Sequence, residues 1–249
     1  MTATRFDDLT DVYEAMIDWP RRLEGEEPFY RELFEGLGAK SVLDTACGTG
    51  RHAAAFHSWG LHVEGADLSP AMIERAKESF GEPPGLRWAV RGFDEPAAAD
   101  EPFDAAICVG NSLALAADEA TAERAVGRML EAVRPGGAIV LHVLNLWRLP
   151  EGPCLWQKCR RSRLPQGEAL IVKGVSRCGR RGFVHLVVAT LDAEPTLDTE
   201  SVPFLGLEAT ELERMAHRGG AGAVRCYGDY QRRPYDRRES VDLILVAEK

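Results

Sequence analysis

The sequence predicts a doubly wound α/β fold, in which a mostly parallel sheet carries a small antiparallel β insertion. Two observations predict this fold. Between residues 41 and 144, apolar segments of strand length alternate with segments whose apolar residues recur at helical spacing. After residue 146 the alternation stops, and β-type segments follow one another across a turn-rich stretch. Alternating strands and helices indicate βαβ units, which form a parallel sheet covered by helices on both faces.

Residues 1–37 are predicted to form an N-terminal helical lid, and the domain that contains the parallel sheet is predicted to begin at residue 38. Apolar residues of the lid recur at helical spacing in two segments, which Trp19 and Pro20 separate because the residue before a proline disfavours helical geometry. Within the core, Ser69 is suited to cap a helix that starts at Pro70. The patterns predict strands at 41–46, 61–66, 86–90, 103–109 and 138–144, and helices at 49–59, 70–80 and 118–133.

The segment 147–205 is predicted as the antiparallel β insertion. Strands at 169–176 and 183–191 flank a hairpin turn, and a third strand is expected at 201–205. The core resumes at 206–249 with a helix at 208–218 and strands at 223–227 and 241–248. This order of helix, strand, loop and strand implies that the last strand enters the sheet antiparallel. The full prediction is a Rossmann-like sheet of seven strands, assembled from residues 38–146 and 206–249.

Composition excludes several classes of protein. The 249 residues are 45% hydrophobic and 28% charged, as in a globular protein, and the net charge of −9 disfavours a nucleic-acid substrate. The six cysteines form no CxxC pair, so we expect a reducing, cytoplasmic setting and no metal site. No apolar run approaches the roughly 20 residues of a membrane span, and the N-terminus lacks the apolar stretch of a signal peptide. The sequence leaves open whether the chain forms a homo-oligomer.

The most informative motif is VLDTACGTGRH, residues 42–52, in which a strand enters a glycine-rich turn that leads into a helix. Gly48 and Gly50 allow a ligand to approach the backbone, and the helix N-terminus attracts a phosphate or a carboxylate. Asp67 ends the next strand, where a carboxylate can accept hydrogen bonds from a ribose diol. The motif therefore predicts an adenosine-type ligand, and both NAD and S-adenosylmethionine satisfy it.

Three further features favour S-adenosylmethionine. Asp44 lies four residues before Gly48, where a carboxylate suits an ammonium or a sulfonium and repels a pyrophosphate. The run Arg134-Pro135-Gly136-Gly137 precedes the fifth strand, and the final strand is expected to be antiparallel. An NAD-dependent oxidoreductase remains the less favoured alternative.

On these residues the chain resembles the class I S-adenosylmethionine-dependent methyltransferases. VLDTACGTG at 42–50 corresponds to their motif I, GADLS at 65–69 to the acidic end of their second strand, and RPGGAIVL at 134–141 to their fifth strand. A closer resemblance, to glycine N-methyltransferases and their small-amine relatives, rests on ICVGNSL at 107–113, on the run from His185 to Asp192, and on YGDY at 227–230.

The resemblance implies S-adenosylmethionine as the cofactor and assigns residues to it. Asp67 would hold the ribose, Phe93 and Asp94 would bracket the adenine, and Arg22 would hold the cofactor carboxylate, with Arg21 as an alternative. The complete implied set is Asp44, Ala46, Cys47, Gly48, Gly50, Asp67, Leu68, Met72, Phe93, Asp94, Gly110, Asn111 and Arg22.

On the substrate side the resemblance implies Asn111, Asn145 and Tyr13. The arginine that precedes the asparagine in the glycine enzymes is replaced here by Leu144, which argues against glycine itself as the acceptor. No catalytic base is assigned, since a strand histidine such as His142 is more often a core residue.

The predicted function is methyl transfer to a small molecule at an amine nitrogen by in-line displacement. Proximity supplies most of the catalysis, and a neutral amine needs no base in the displacement, whereas a hydroxyl does. O-methylation and nucleic-acid methylation are alternatives, although GNSL at 110–113 differs from the Asn/Asp-Pro-Pro-aromatic pattern used on bases. The basic residues Lys158, Arg160, Arg161 and Arg163 indicate either a solvated surface or attraction of an anionic substrate.

Overall fold

A computed structural model describes residues 10–98, 101–165, 167–191 and 194–249, and these residues form two β-sheets. Residues 1–9 of the predicted lid and Asp192 of the predicted insertion lie outside the described residues.

The larger sheet has seven strands in the order β10-β11-β5-β4-β1-β2-β3. The last strand, β11, is antiparallel to both of its neighbours, and the remaining pairs are parallel. The predicted fold class is thereby confirmed. The strands of this sheet are β1 (Ser41–Asp44), β2 (His62–Asp67), β3 (Leu86–Val90), β4 (Phe103–Cys108), β5 (Val133–Leu144), β10 (Ala223–Tyr227) and β11 (Asp242–Glu248).

Helices cover both faces of the sheet, and their ends follow the cap signals of the sequence. The Ser69 hydroxyl accepts a hydrogen bond of 3.1 Å from the Met72 amide, so Ser69 caps the helix that begins at Pro70. None of the helices in the described ranges is long and apolar enough to cross a bilayer. The helices are α1 (Thr10–Met16), α2 (Trp19–Leu37), α3 (Arg51–Ser58), α4 (Pro70–Phe80), α5 (Glu119–Ala132) and α6 (Ala209–Arg218).

The two faces of the sheet carry separate apolar cores. Val42 of β1 packs with Phe56 of α3 on one face, whereas the next residue, Leu43, packs with Met129 of α5 on the other. Successive side chains of a strand point to opposite faces, so a strand buried on both faces is apolar without interruption. This burial explains why β1 has no alternating polar pattern and why its polar end, Asp44, marks the edge of the sheet.

The smaller sheet has four antiparallel strands in the order β6-β7-β8-β9: β6 (Leu155–Leu164), β7 (Gly167–Cys178), β8 (Arg181–Thr190) and β9 (Leu197–Leu205). The prediction of three strands was incomplete, because the basic segment around Arg160 forms the edge strand β6. Nearly all of β6 is exposed, and its burial begins only at Leu164. An edge strand that is largely exposed has no alternating apolar pattern, and its cations disfavour pairing with other chains.

Candidate functional site

The carboxyl ends of β1, β2 and β4 meet at one edge of the large sheet and form a cavity of about 270 Å³. In a parallel α/β sheet, ligands bind at this edge. We call it the strand-tip cavity. Its walls are Tyr13, Thr45, Ala46, Gly48, Asp67, Leu68, Met72, Gly92, Phe93, Asp94, Gly110, Ser112, Leu115, Ala116, Ala117 and Thr121.

The polar wall of the strand-tip cavity is fixed by backbone amides. Gly48, in a left-handed conformation with φ of 54°, donates its amide hydrogen to Oδ2 of Asp67 over 2.9 Å. The Ser69 amide donates to Oδ1 of the same carboxylate, also over 2.9 Å. Two amide donors hold the carboxylate in one orientation at the cavity wall.

Asp44 is the second acidic group at this edge, and the side chain is only 1% exposed. Its Oδ1 accepts a long contact of 3.4 Å from the Ala46 amide, whereas Oδ2 is buried and has no hydrogen-bond partner within the described residues. Burial, together with the nearby negative charge of Asp67, raises the pKa of Asp44 to about 7. A buried carboxylate oxygen without a partner is satisfied by a cationic ligand group and repels a phosphate.

The opposite wall is apolar. Leu68 is 45% exposed although it is a large aliphatic residue, and it lines the strand-tip cavity together with Phe93. Asp94, at the rim, pairs with Arg124 over 3.2 Å. An apolar surface next to a few fixed polar groups is typical of a site for a small organic ligand with a flat ring.

A second cavity, of about 780 Å³, opens beside the first and extends to the small sheet. Tyr13, Met72, Gly110 and Leu115 line both cavities, so these residues form the boundary between them. We call the second space the inserted-sheet cavity. Its size is in the range of cavities that hold ligands of drug-like size.

Arg22 of α2 lines the inserted-sheet cavity next to Gly110. Its Nε donates to Glu26 over 2.8 Å, and the second oxygen of Glu26 lies 2.7 Å from Nε2 of His52. Burial opposes ionisation of Glu26, but its hydrogen bond with His52 and the charge of Arg22 outweigh it and lower the Glu26 pKa to about 2. A buried carboxylate thus fixes the guanidinium beside the boundary of the two cavities.

Comparison with known proteins identifies the class of this site. Residues 42–137 match the family described as a methyltransferase domain. The chain is 33% identical over 238 residues to the glycine/sarcosine N-methyltransferase of Parasynechococcus marenigrum, which covers 91% of this chain and 78% of that protein. It is 30% identical to the human glycine N-methyltransferase over 228 residues, or 82% of this chain and 76% of that one.

This chain belongs to the class I S-adenosylmethionine-dependent methyltransferases. Solved structures show the same fold. A methyltransferase from Clostridium acetobutylicum matches with a TM-score of 0.75 at 14% identity and covers 98% of both chains. The sugar N-methyltransferase KedS8 from Streptoalloteichus matches with a TM-score of 0.72 at 22% identity, over 90% of this chain and 87% of that one. S-adenosylmethionine is the cofactor of this methyltransferase, and the unpartnered oxygen of Asp44 fits its ammonium group.

Most of the residues predicted for the cofactor lie in the cavities of the methyltransferase. Asn111 and Arg22 line the inserted-sheet cavity, and Tyr13 lies at the boundary. Asp44 sits behind Ala46 at the end of β1. Eight of the predicted residues line the strand-tip cavity: Ala46, Gly48, Asp67, Leu68, Met72, Phe93, Asp94 and Gly110.

Two predicted cofactor residues of the methyltransferase pack into its interior. A methyl group placed on Gly50 would lie 2.5 Å from the Trp88 ring and 2.9 Å from Ala76, so this glycine allows close packing of a neighbouring strand and helix. Cys47 is buried in the core on the α3 face of the sheet. The motif therefore serves packing as well as binding, and contact of the Gly50 and Cys47 backbone with the cofactor stays a prediction.

Asn145, predicted on the substrate side, lines neither cavity of the enzyme. Its Nδ2 donates to the carbonyl oxygens of Arg237 and Ser240 over 3.0 and 2.8 Å. Its Oδ1 accepts from the Trp147 amide over 3.2 Å and from the Tyr235 hydroxyl over 3.1 Å. Four hydrogen bonds occupy the amide, so Asn145 holds the loop before β11.

Several side chains that line the inserted-sheet cavity were not predicted from the sequence. Lys173 is the one charged residue in the apolar segment ALIVKGV of β7, and this contrast is a signal that could have indicated it. Tyr230 and Asp242 also line the inserted-sheet cavity, and His142 lies between them, 3.0 Å from the Tyr230 hydroxyl and 3.3 Å from Asp242. Their proximity depends on the pairing of β11 with β5, which the sequence alone does not show.

Proposed function

We propose that this methyltransferase acts on an amine nitrogen of a small molecule, which occupies the inserted-sheet cavity. The observation that carries this proposal is the state of His142, the one histidine among the described residues that line this cavity. The Tyr230 hydroxyl contacts its Nδ1 and the Asp242 carboxylate contacts its Nε2, so both ring nitrogens have partners. A hydroxyl acceptor needs a free base during the displacement, whereas a neutral amine does not, so the arrangement favours an amine.

The relatives support the same acceptor atom. The two most similar proteins cited above are named glycine/sarcosine and glycine N-methyltransferases, and one structural neighbour is a sugar N-methyltransferase. The size of the inserted-sheet cavity, about 780 Å³, favours an acceptor larger than glycine. Leu144 lines this cavity, so the position that holds an arginine in the glycine enzymes contributes no positive charge here.

We assign the two ends of the cofactor to different walls. The unpartnered oxygen of Asp44 would accept the ammonium group, and Arg22 would bind the carboxylate at the boundary of the cavities. Asp67 would hold the ribose hydroxyls, while Leu68 and Phe93 would contact the adenine. When bound, S-adenosylmethionine supplies a methyl group that is electrophilic because the attached sulfur is positively charged.

The N-terminal helix α1 is proposed as a lid over this arrangement. Glu14 pairs with Arg51 of α3 over 2.6 Å, and Asp11 pairs with Arg75 of α4 over 2.8 Å. These ion pairs hold Tyr13 over Gly48, 3.6 Å from the position that a Cβ would occupy there. A closed lid would exclude water and keep the reacting atoms aligned, which is the main requirement of a displacement reaction.

The test measures S-adenosylhomocysteine formation and product mass with matched acceptors that differ only in the nucleophile. Each pair contains a primary amine and the corresponding alcohol, for example an amino sugar and its parent sugar. We expect turnover of amines and none of the alcohols. Turnover of alcohols alone would contradict the proposed acceptor atom, and calorimetry with S-adenosylhomocysteine and with NAD tests the cofactor site independently.

A further inference from the structure

Two lysines of the small sheet face each other inside the inserted-sheet cavity. Lys158 of β6 and Lys173 of β7 are direct cross-strand partners, and both line the cavity wall. Side chains at paired positions lie on the same face of a sheet, and like charges directly opposite each other destabilise it. Lys158 is exposed to solvent and Lys173 is partly buried, so an anion beside the two ammonium groups would relieve their repulsion.

No carboxylate within the described residues forms a hydrogen bond or an ion pair with either lysine, and the charge of Asp242 acts on Lys173 only through space. Lys173 makes neither a hydrogen bond nor an ion pair with the described residues, and Lys158 contacts only the carbonyl oxygen of Met16, over 3.4 Å. Part of the surrounding wall is apolar and includes Val184 and Leu186. A partly buried ammonium group without a direct partner is unfavourable, so such a group is typical of a site that a ligand completes.

Carboxylates also line the cavity, but they are engaged elsewhere. Asp242 lies 3.3 Å from His142, and Asp229 forms an ion pair with Arg233. Glu26 is held by Arg22 and His52, as described above. Burial and the neighbouring charges of Lys158 and Arg22 lower the pKa of Lys173, and the charge of Asp242 offsets this effect only in part.

We infer that Lys158 and Lys173 bind an anionic group of the methyl acceptor, a carboxylate or a phosphate. This inference rests on the proposed function and refines it, since the acceptor is then an amine that also carries an anion. The nitrogen lies at the boundary beside Gly110 and Asn111, and the anion lies against the small sheet. The inserted sheet thereby determines substrate specificity, while the strand tips bind the methyl donor.

The experiment compares acceptors that share an amine and differ in charge. One series pairs a neutral amino sugar with its phosphate ester, and another pairs an amino-acid amide with the free amino acid. The enzymes are the wild type, Lys173→Gln, Lys173→Arg and Lys158→Gln, with Lys77→Gln on the surface of α4 as the matched control. Calorimetry with S-adenosylhomocysteine verifies that each variant is folded, because the strand-tip cavity does not include the lysines.

We expect Lys173→Gln to raise KM for the preferred anionic amine by about tenfold or more, with kcat nearly unchanged. Lys173→Arg restores binding, and Lys77→Gln has no effect. Neutral amines are used equally by all variants. The two series distinguish a carboxylate from a phosphate, since only the matching anion shows the lysine dependence.

Equal KM values of the wild type and Lys173→Gln for every anionic amine would overturn the inference while leaving amine methylation intact. If no amine is methylated although S-adenosylhomocysteine binds, the proposed function fails and the lysine pair is tested by itself. Inorganic phosphate or acetate should then raise the melting temperature of the wild type more than that of Lys173→Gln. Equal shifts would overturn the anion site.

Discussion

The Gly48 amide donates a hydrogen bond to the Asp67 carboxylate over 2.9 Å and so connects the end of β1 to the end of β2. The two strands are neighbours in the parallel sheet, and the bond joins the glycine-rich turn to the acidic tip of the next strand. The carboxylate is therefore oriented before a ligand binds. Preorganisation of this kind reduces the entropic cost of binding.

Substitution of Asp67 by alanine tests whether this carboxylate binds the cofactor. We expect Asp67→Ala to weaken S-adenosylhomocysteine binding about 10- to 100-fold, the usual cost of removing a hydrogen bond to a charged group. Isothermal titration calorimetry measures the affinity, and Asp198→Ala on β9 serves as a control for loss of an acidic residue. A folded Asp67→Ala protein with wild-type affinity would refute the assignment.

Because the pKa of Asp44 is raised in the folded protein, we expect the stability of the ligand-free protein to depend on pH. This pKa is about 7 in the folded chain, compared with the usual 3.8 when unfolded. Between roughly pH 4 and pH 7 the folded chain holds a proton that the unfolded chain has released. The free energy of unfolding therefore falls by up to about 1.4 kcal/mol per pH unit as the pH rises through this window, and the whole contribution is lost above pH 7.

The Asp44→Asn variant should lack this dependence. Urea unfolding at about pH 5 and about pH 8 is expected to show a larger loss of stability in the wild type than in Asp44→Asn. S-adenosylhomocysteine should reduce the difference, because its ammonium group stabilises the ionised carboxylate. Identical pH profiles of the two proteins would show that Asp44 is not protonated in the folded state.

Much of the fold was predictable because short-range signals agree with the tertiary structure. The helix Pro70–Phe80 and the strands Leu86–Val90 and Ala223–Tyr227 have the predicted bounds. Strand β6 was not predicted, since an exposed edge strand carries no apolar alternation.

The strand-tip cavity was predictable for the same reason, since Gly48 and Asp67 lie in local motifs at the ends of neighbouring strands. The acceptor side was not, because Lys158, Lys173 and Asp242 are brought together only by strand pairing across the small sheet and at β11. Asn111 and Asn145 both end core strands, yet their side chains serve different purposes, and no local pattern separates them.

Arg22 and Arg21 are adjacent in the sequence but differ in environment, which makes them a matched pair. Arg22 is largely buried and held by Glu26, whereas Arg21 is exposed. We expect Arg22→Met to lower the affinity for S-adenosylhomocysteine about 10-fold or more, since a charge-assisted contact to the carboxylate is lost. The Arg21→Met variant should bind S-adenosylhomocysteine with wild-type affinity.

A second ligand, 5′-methylthioadenosine, lacks the carboxylate, and both variants should bind it with the same affinity. A parallel loss for both ligands would indicate damage to the fold instead.

Asn145 is expected to contribute to stability and not to catalysis. Asn145→Ala removes four hydrogen bonds and leaves buried partners without a donor or an acceptor, so the free energy of unfolding should fall by about 2–4 kcal/mol. Below the melting temperature, kcat and KM should stay close to those of the wild type. Asn111→Gly preserves the positive φ of 72° at a residue lining the cavity but removes the hydrogen bond of 2.9 Å from the Leu144 amide, so it should lower kcat as well as stability. A large loss of kcat in stable Asn145→Ala would restore a role at the substrate.

Gly48 and Gly50 occupy one turn, and we expect an added methyl group to act mainly on ligand binding at Gly48 and mainly on stability at Gly50. At Gly50 the new Cβ would meet the Trp88 ring at 2.5 Å, so Gly50→Ala should reduce the free energy of unfolding by about 2–4 kcal/mol. The second substitution Trp88→Leu, which replaces the ring by a smaller side chain, should recover part of this loss.

At Gly48 the nearest atom to an added Cβ is 3.6 Å away on Tyr13, at the cavity. Gly48→Ala should therefore cost only about 1–2 kcal/mol from its left-handed backbone. It should nevertheless weaken S-adenosylhomocysteine binding, because the methyl group takes space between Tyr13 and the ligand. Chemical unfolding and calorimetry on both variants separate the two effects, and equal losses of affinity with equal stabilities would contradict the division of roles within the turn.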